Sequence, residues 1–304
     1  MPFNTPILLI VFNRPASARR VFSAIKEAKP AKLYVAADGA RAGKNEESVC
    51  AETRAIVEQV DWPCEVKTLF RDENVGCGRG PKEAMDWLFE HEERGIILED
   101  DCLPDPSFFP FCEELLERYA EDNRIMHIAG SYFLDEWRSN NDYSYHFSQL
   151  GPVWGWATWR RAWQYYDFNL SLLPQVKEKG YFDRFFLSTK ERDYRLKIFQ
   201  ETYDSNHGID WWDYQWDFAR FTQGGLSVVP NINLISNIGF GDDATHTFNA
   251  DHKSANLTTK SVEFPLKHPP FVMRDYEADR RKMVRFFSKP PLWFRVKRRI
   301  MNFL

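Results

Sequence analysis

The chain has 304 residues, of which 43% are hydrophobic and 28% charged, and these ordinary globular values exclude global disorder. Residues 280–304 hold nine Lys and Arg and no acidic residue, so the net charge of −4 divides into +9 for this end and −13 for residues 1–279. An acidic body argues against nucleic acid as a partner, and the basic end predicts contact with an anionic surface.

Three further features limit the possible functions. Aromatic residues make up 16% of the chain, including 11 Trp, which favours stacking on sugars or bases, or an interface. Five cysteines without a C-x-x-C pair argue against a disulfide framework and a structural zinc site. The N-terminus lacks the pattern of a secretion signal, and its apolar run is too short to span a bilayer, so we expect a cytoplasmic protein.

The first hundred residues alternate between predicted strands and predicted helices. Apolar runs predict strands at residues 6–12, 33–37, 64–70 and 96–98, and helices fall between them at 16–28, 52–60 and 81–91. This order predicts an α/β fold with a mainly parallel central sheet flanked by helices. An aromatic-rich half without repeats follows, so we predict one domain over residues 1–275 and a basic amphipathic tail over residues 276–304.

Polar side chains follow each predicted strand and should meet in one crevice, because ligands of such sheets bind beyond the carboxyl ends of the strands. These clusters are Asn13-Arg14, Asp38, Arg71-Asp72 and Glu99-Asp100-Asp101. Three consecutive carboxylates repel one another and need a cation. Mg²⁺ or Mn²⁺ bridging a substrate diphosphate would supply it, and a solvated acidic turn is the alternative.

The most unusual segment is the aromatic and acidic block over residues 210–218. Asp213, with Asp210 in reserve, could act as the general base that deprotonates a sugar hydroxyl. Trp212 and Trp216 share a helical face and could stack on a sugar ring. An amphipathic helix with its Trp residues in the core is the alternative.

Two glycine-bearing segments add candidates. Residues 151–159, with Trp154 and Trp156, could form a loop that lets a ligand approach the backbone, or a packed turn. Residues 237–247 form a polar loop in which His246 could bind a metal ion or have only a structural role.

In combination these residues resemble glycosyltransferases of the GT-A fold. The resemblance is to the inverting N-acetylglucosaminyltransferase I type and to bacterial relatives that act on surface glycans. Four segments carry it in order, and they lie at residues 6–14, at 96–101 with 106–109, at Gly155-Trp156 with Trp163, and at 212–216 with 229–231 and 237–241.

The resemblance implies roles for particular positions. The metal ion would be held by Asp101 and His246, and the proton would be taken by Asp213 as the base. The uracil and nearby donor groups would be contacted by Arg14 and Asp38. The ribose or metal-bound waters would be held by Glu99 and Asp100. Two departures limit the transfer. The family has two adjacent aspartates in its catalytic segment, whereas in this chain Asp213 is followed by Tyr214. The glycine-rich turn at residues 76–80 has no counterpart in the family, so Arg79 and Lys82 are candidate phosphate contacts only because they lie close to that turn.

The sequence therefore predicts a Mn²⁺- or Mg²⁺-dependent inverting transfer from a UDP-sugar to a hydroxyl of a glycan or lipid-linked glycan, of the bacterial polysaccharide or lipopolysaccharide type. A sugar nucleotidyltransferase is one alternative, although the first strand is followed by Phe12-Asn13-Arg14-Pro15 instead of a glycine-rich loop. A non-catalytic glycan-binding protein is another. Residues 288–304 mix cations with large apolar residues, which predicts an interfacial helix on the inner face of the membrane, or a packed terminal helix.

Overall fold

A computed structural model of the chain describes residues 3–134, 137, 142–183, 185–205, 211–239 and 256–287. An eight-stranded sheet and a two-stranded ribbon form its centre. In chain order the strands are β1 Ile7–Val11, β2 Lys32–Ala37, β3 Glu65–Phe70, β4 Arg94–Glu99, β5 Cys102–Pro104, β6 Ile125–Ala129, β7 Tyr145–Ser148, β8 Trp156–Trp159, β9 Leu226–Pro230 and β10 Ile235–Asn237.

The sheet order is β3-β2-β1-β4-β8-β6-β9-β7, and β5 pairs with β10 in the ribbon. The first four strands are parallel, as predicted. Four of the seven strand pairs in this sheet are parallel, and the sheet is mixed beyond β4, where β8 runs antiparallel between β4 and β6, β7 is antiparallel to β9, and β6 and β9 are parallel. The antiparallel pairing of β8 with β6 has a physical reason in the connection, because the described residues between these two strands include no crossover helix of the kind that parallel pairing requires.

Helices cover both faces of the sheet. They are α1 Pro15–Ala28, α2 Glu47–Arg54, α3 Gly76–His91, α4 Phe108–Arg118, α5 Arg160–Trp163, α6 Leu173–Glu178, α7 Thr189–Asp204, α8 Asp213–Thr222 and α9 Tyr276–Phe287. Alternate residues of β1 point to opposite sides, so Ile7 and Leu9 join one core cluster and Leu8 joins another. The result confirms the predicted fold class, a central sheet between two layers of helices.

The last described helix belongs to the body of the molecule. Ala278, Asp279 and Met283 of α9 are buried, and Asp275 donates its N–H to the carbonyl of Phe147 in β7. The part of the predicted tail at residues 276–287 is therefore a packed helix. The remainder, 288–304, lies outside the described residues. Among the residues that the structure describes, no helix has both the length and the apolar composition needed to cross a membrane.

Candidate active site

A cavity of about 250 Å³ lies beyond the carboxyl ends of β1, β2 and β4. Six residues predicted from the strand ends line it, and they are Arg14, Asp38, Arg71, Glu99, Asp100 and Asp101. The register explains their meeting, because Ile10 of β1 pairs with Glu99 of β4, so the residues that follow both strands leave the sheet side by side. The expectation of one crevice at this edge is thus met by the geometry.

The acidic triplet is held by the segment that follows β1. The N–H of Phe12 donates to Asp100 Oδ2 at 3.1 Å. Arg14 Nη1 lies 2.8 Å from Asp101 Oδ2 and 3.3 Å from Asp100 Oδ1. We expected Arg14 to contact the uracil. In the structure its guanidinium instead binds the acidic triplet, which we expected to bind a metal ion.

Negative charge at this place exceeds the positive charge that compensates it. Burial, followed by the charges of Asp101, Asp100 and Asp213, raises the pKa of Glu99 to about 8. Burial also raises the pKa of Asp100 to about 7, although the charge of Arg14 opposes the rise. Because the ionised form of these carboxyl groups is unfavourable here, a further cation would stabilise it.

The donor set fits a hard divalent ion. Mg²⁺ and Mn²⁺ take one or two protein carboxylates and complete their shell with water and phosphate oxygens. Asp101, which is partly buried at the cavity wall, offers such a carboxylate. Within the described part of the chain no group of three or more His, Cys, Asp or Glu side chains forms a complete metal site. His246 lies outside the described residues, so its predicted role stays a prediction.

The close approach of Gly239 shapes the same wall. The N–H of Ile238 donates to the carbonyl of Asp101 at 2.8 Å, beside the ribbon of β5 and β10. A Cβ atom at Gly239 would lie 2.3 Å from Asp101 Oδ2, closer than any real contact. The cluster therefore requires a residue without a side chain at this position.

Asp38 caps the N-terminus of α3. Its Oδ1 accepts the N–H groups of Gly39 and Val75, each at 3.0 Å, and its Oδ2 accepts that of Gly76 at 3.0 Å. Burial raises the pKa of this carboxyl, and the three hydrogen bonds oppose the rise. Most of its accepting capacity is thus taken by the backbone, although the side chain still faces the cavity.

The predicted and observed cations of the cavity differ. Arg79 is exposed, Lys82 pairs with Asp86 at 2.5 Å, and neither side chain lines the cavity. Arg41 and Arg71 do line it. Arg71 belongs to one of the strand-end clusters that the sequence predicted to meet in this crevice, and it lies there. Arg41 lies on a loop, and no sequence pattern indicates it.

Asp213 begins α8 and does not line the cavity. It is close enough to Glu99 that its charge raises the pKa of Glu99. Burial, and then the charge of Asp217, raise the pKa of Asp213 to about 6. The alternative base, Asp210, lies outside the described residues.

The four tryptophans predicted to contact an acceptor separate into two groups. Trp154 lines the cavity, and its ring packs edge-on against Phe133 at 5.2 Å. Trp156, Trp212 and Trp216 are buried in one core cluster, where Trp156 stacks on Trp212 at 5.6 Å. The three buried rings pack on protein, in line with the alternative of a Trp core, and Trp154 is the one of the four that lines the cavity.

No family model matches the chain, and no curated protein is similar to it. The solved structures that it resembles include an apo UDP-glucose pyrophosphorylase at 11% identity, with 76% of this chain and 93% of the other covered and a TM-score of 0.37. Another is an inositol-1-phosphate CTP transferase from T. maritima at 10% identity, with 82% and 94% covered and a TM-score of 0.39. Such names belong to the nucleotidyltransferase alternative, and none supports the N-acetylglucosaminyltransferase I type.

Proposed function

We propose that the chain binds a nucleoside-diphosphate sugar in this cavity and transfers the sugar to a hydroxyl group with inversion, assisted by Mn²⁺ or Mg²⁺. One observation carries the proposal. The cavity is lined by arginines and by the acidic triplet, and Asp213, whose pKa is raised to about 6, is close enough to the lining residue Glu99 for its charge to raise the pKa of Glu99. These are the two parts that a sugar transfer needs, a place for the leaving diphosphate and a base for the attacking hydroxyl.

The donor side would bind the diphosphate through charge. Arg14, Arg41 and Arg71 line the cavity, and guanidinium groups suit phosphate oxygens because they donate in pairs. Asp101 would hold the divalent ion, which when bound would stabilise the negative charge of the departing nucleoside diphosphate. Arg14 would then release Asp101 and remain available to the phosphates. The arginines and the divalent ion would both contact the diphosphate, so the cavity would bind the leaving nucleoside diphosphate more strongly than the sugar.

The acceptor side would use Asp213. A carboxylate with a pKa of about 6 is mostly ionised at pH 7.5 and is a stronger base than an ordinary aspartate. It would take the proton of the acceptor hydroxyl while that oxygen attacks the anomeric carbon from the side opposite the diphosphate. Trp154 lines the cavity and would contact the sugar.

A nucleotidyltransferase is the second candidate, and one observation favours it. Three arginines around one cavity provide enough positive charge for a nucleoside triphosphate. Against it, α1 begins at Pro15 directly after β1, where Phe12, Asn13 and Arg14 leave no glycine-rich loop for the phosphates. A glycan-binding protein without catalysis would need neither the arginines nor the carboxylate cluster.

Product analysis of the purified chain separates these activities. With Mn²⁺ and a panel of UDP-sugars we expect release of UDP, and with UTP and a sugar 1-phosphate we expect no pyrophosphate. Pyrophosphate without UDP release would establish the nucleotidyltransferase. Binding of glycans with neither product would establish the glycan-binding protein.

The Asp213→Asn variant tests the base. It should reduce sugar transfer by at least about a hundred-fold, the usual contribution of a general base, and leave the affinity for UDP within about two-fold. Asp193→Asn, on the exposed side of α7, is the matched control and should keep full activity. Loss of UDP binding in Asp213→Asn, with the control unaffected, would show that Asp213 is not the base.

A further inference from the structure

Arg54 lies outside the cavity and contacts two of the residues that line it. It is the last residue of α2, and its Nη2 donates to the main-chain carbonyl of Asp38 at 3.0 Å and to that of Arg71. Both of these residues line the cavity, whereas Arg54 does not. The guanidinium also lies over the ring of Phe70, the last residue of β3, at 5.3 Å from the ring centre. One side chain therefore holds the two chain segments that leave β2 and β3.

These two segments form the side of the cavity that the sheet supports least. β3 ends the eight-stranded sheet beside β2, and all six of its side chains are exposed or only partly buried. The paired register of the two strands ends at Ala37 and Phe70, and the next main-chain bond between the segments, from the N–H of Gly39 to the carbonyl of Glu73, is long at 3.3 Å. The two hydrogens on Nη2 of Arg54 match the two carbonyls in number, so one nitrogen fixes the distance between the segments.

Both residues that Arg54 holds also contact α3, whose first turns line the cavity. The carboxylate of Asp38 caps the N-terminus of α3. Arg71 Nη2 lies 3.0 Å from Glu83 Oε2 on the same helix. A shift of either segment would therefore move the contacts of α3 and change the width of the cavity between this helix and the ends of the strands.

We infer that Arg54 is a positioning residue, which holds the segments after β2 and β3, and through them α3, in the arrangement that receives the substrate. A wall that is ordered before the substrate arrives removes the cost of ordering it from the free energy of binding. The contacts that the structure describes for Arg54 include neither the acidic triplet nor Asp213, so the inference concerns substrate binding and not the chemical step. It rests on the proposed function in one respect, that a nucleoside diphosphate occupies this cavity.

The variant Arg54→Met tests the inference, because it removes both hydrogen bonds and keeps an unbranched side chain. We expect the affinity for UDP, measured by calorimetry, to fall about ten-fold, and KM for the UDP-sugar to rise by a similar factor with kcat within about two-fold. The loss of affinity should persist in about 0.5 M NaCl, where the distant effect of a single charge is screened.

Arg161→Met is the matched control. Arg161 likewise donates to main-chain carbonyls, at 2.7 to 3.0 Å, and its guanidinium lies over the ring of Trp159 at 4.4 Å, but it does not line the cavity or bind a residue that does. This variant loses the same kinds of contact and should bind UDP as the unchanged chain does. An equal loss of UDP affinity in both variants would overturn the inference, because it would then reflect stability alone.

Amide hydrogen exchange without any ligand measures the positioning directly. The N–H groups of Gly39 and Val75, which bond across the two segments, should exchange about ten-fold faster in Arg54→Met and at the unchanged rate in Arg161→Met. Unchanged exchange at these amides in Arg54→Met would overturn the inference. If the unchanged chain binds no UDP, the proposed function fails, and the exchange rates still decide whether Arg54 orders this wall.

Discussion

At the scale of single residues, the protonation of Asp213 sets the pH range of the proposed transfer. A base must be unprotonated, and burial has raised the pKa of this carboxyl to about 6. We therefore expect kcat/KM to be constant above about pH 7 and to fall about ten-fold for each pH unit below the pKa. Initial rates of UDP release between pH 4.5 and 8 measure it. An acid limb near pH 4, the value of an unperturbed aspartate, would contradict the assignment.

Arg14 binds the carboxylate that we propose as the ligand of a divalent ion. Its Nη1 lies 2.8 Å from Asp101 Oδ2, so binding of a divalent ion to Asp101 requires the guanidinium to move. We expect Arg14→Met to bind Mn²⁺ about ten-fold more tightly in the absence of nucleotide, because the competing cation is gone. The same variant should bind UDP more weakly. Electron paramagnetic resonance of free Mn²⁺ measures the first effect, and unchanged Mn²⁺ affinity would show that the two cations do not compete.

At the scale of secondary-structure elements, α3 begins five residues before the predicted start at Pro81. The cause is a cap from a distant part of the chain, the carboxylate of Asp38, which binds the N–H groups of Val75 and Gly76. A contact across the fold leaves no local pattern, and this is why the sequence predicts the later start. Asp38, which we expected to contact the donor, therefore also has a structural role as this cap.

Loss of this cap should be visible in stability. Asp38→Ala is expected to lower the free energy of unfolding by about 1–2 kcal/mol, the usual cost of removing an N-cap carboxylate. Asp38→Asn keeps an accepting oxygen and should lose less. Urea denaturation measures both values. If Asp38→Ala keeps its stability and loses affinity for UDP, Asp38 serves the ligand and not the helix.

At the scale of the whole molecule, the two halves of the chain differ in how much the sequence could predict. Three of the first four strands contain buried apolar runs, and strands alternate with helices over this part of the chain, so the parallel order and the meeting of Arg14, Asp38 and the acidic triplet follow from topology. In the second half, β8 is a strand of only four residues with tryptophan at both ends, and its sequence led to the prediction of a ligand loop. Its place between β4 and β6 explains the buried tryptophans. Many of the aromatic residues in the second half of the chain are therefore core residues that pack against the sheet and its helices.

The contact between Gly239 and Asp101 has a consequence for how such a protein can vary. A side chain at 239 would occupy the space of the Asp101 carboxylate. Position 239 therefore cannot gain a side chain without displacing that carboxylate, although 137 residues separate the two positions in the chain. Descendants of this sequence that keep Asp101 in its place should also keep glycine at 239.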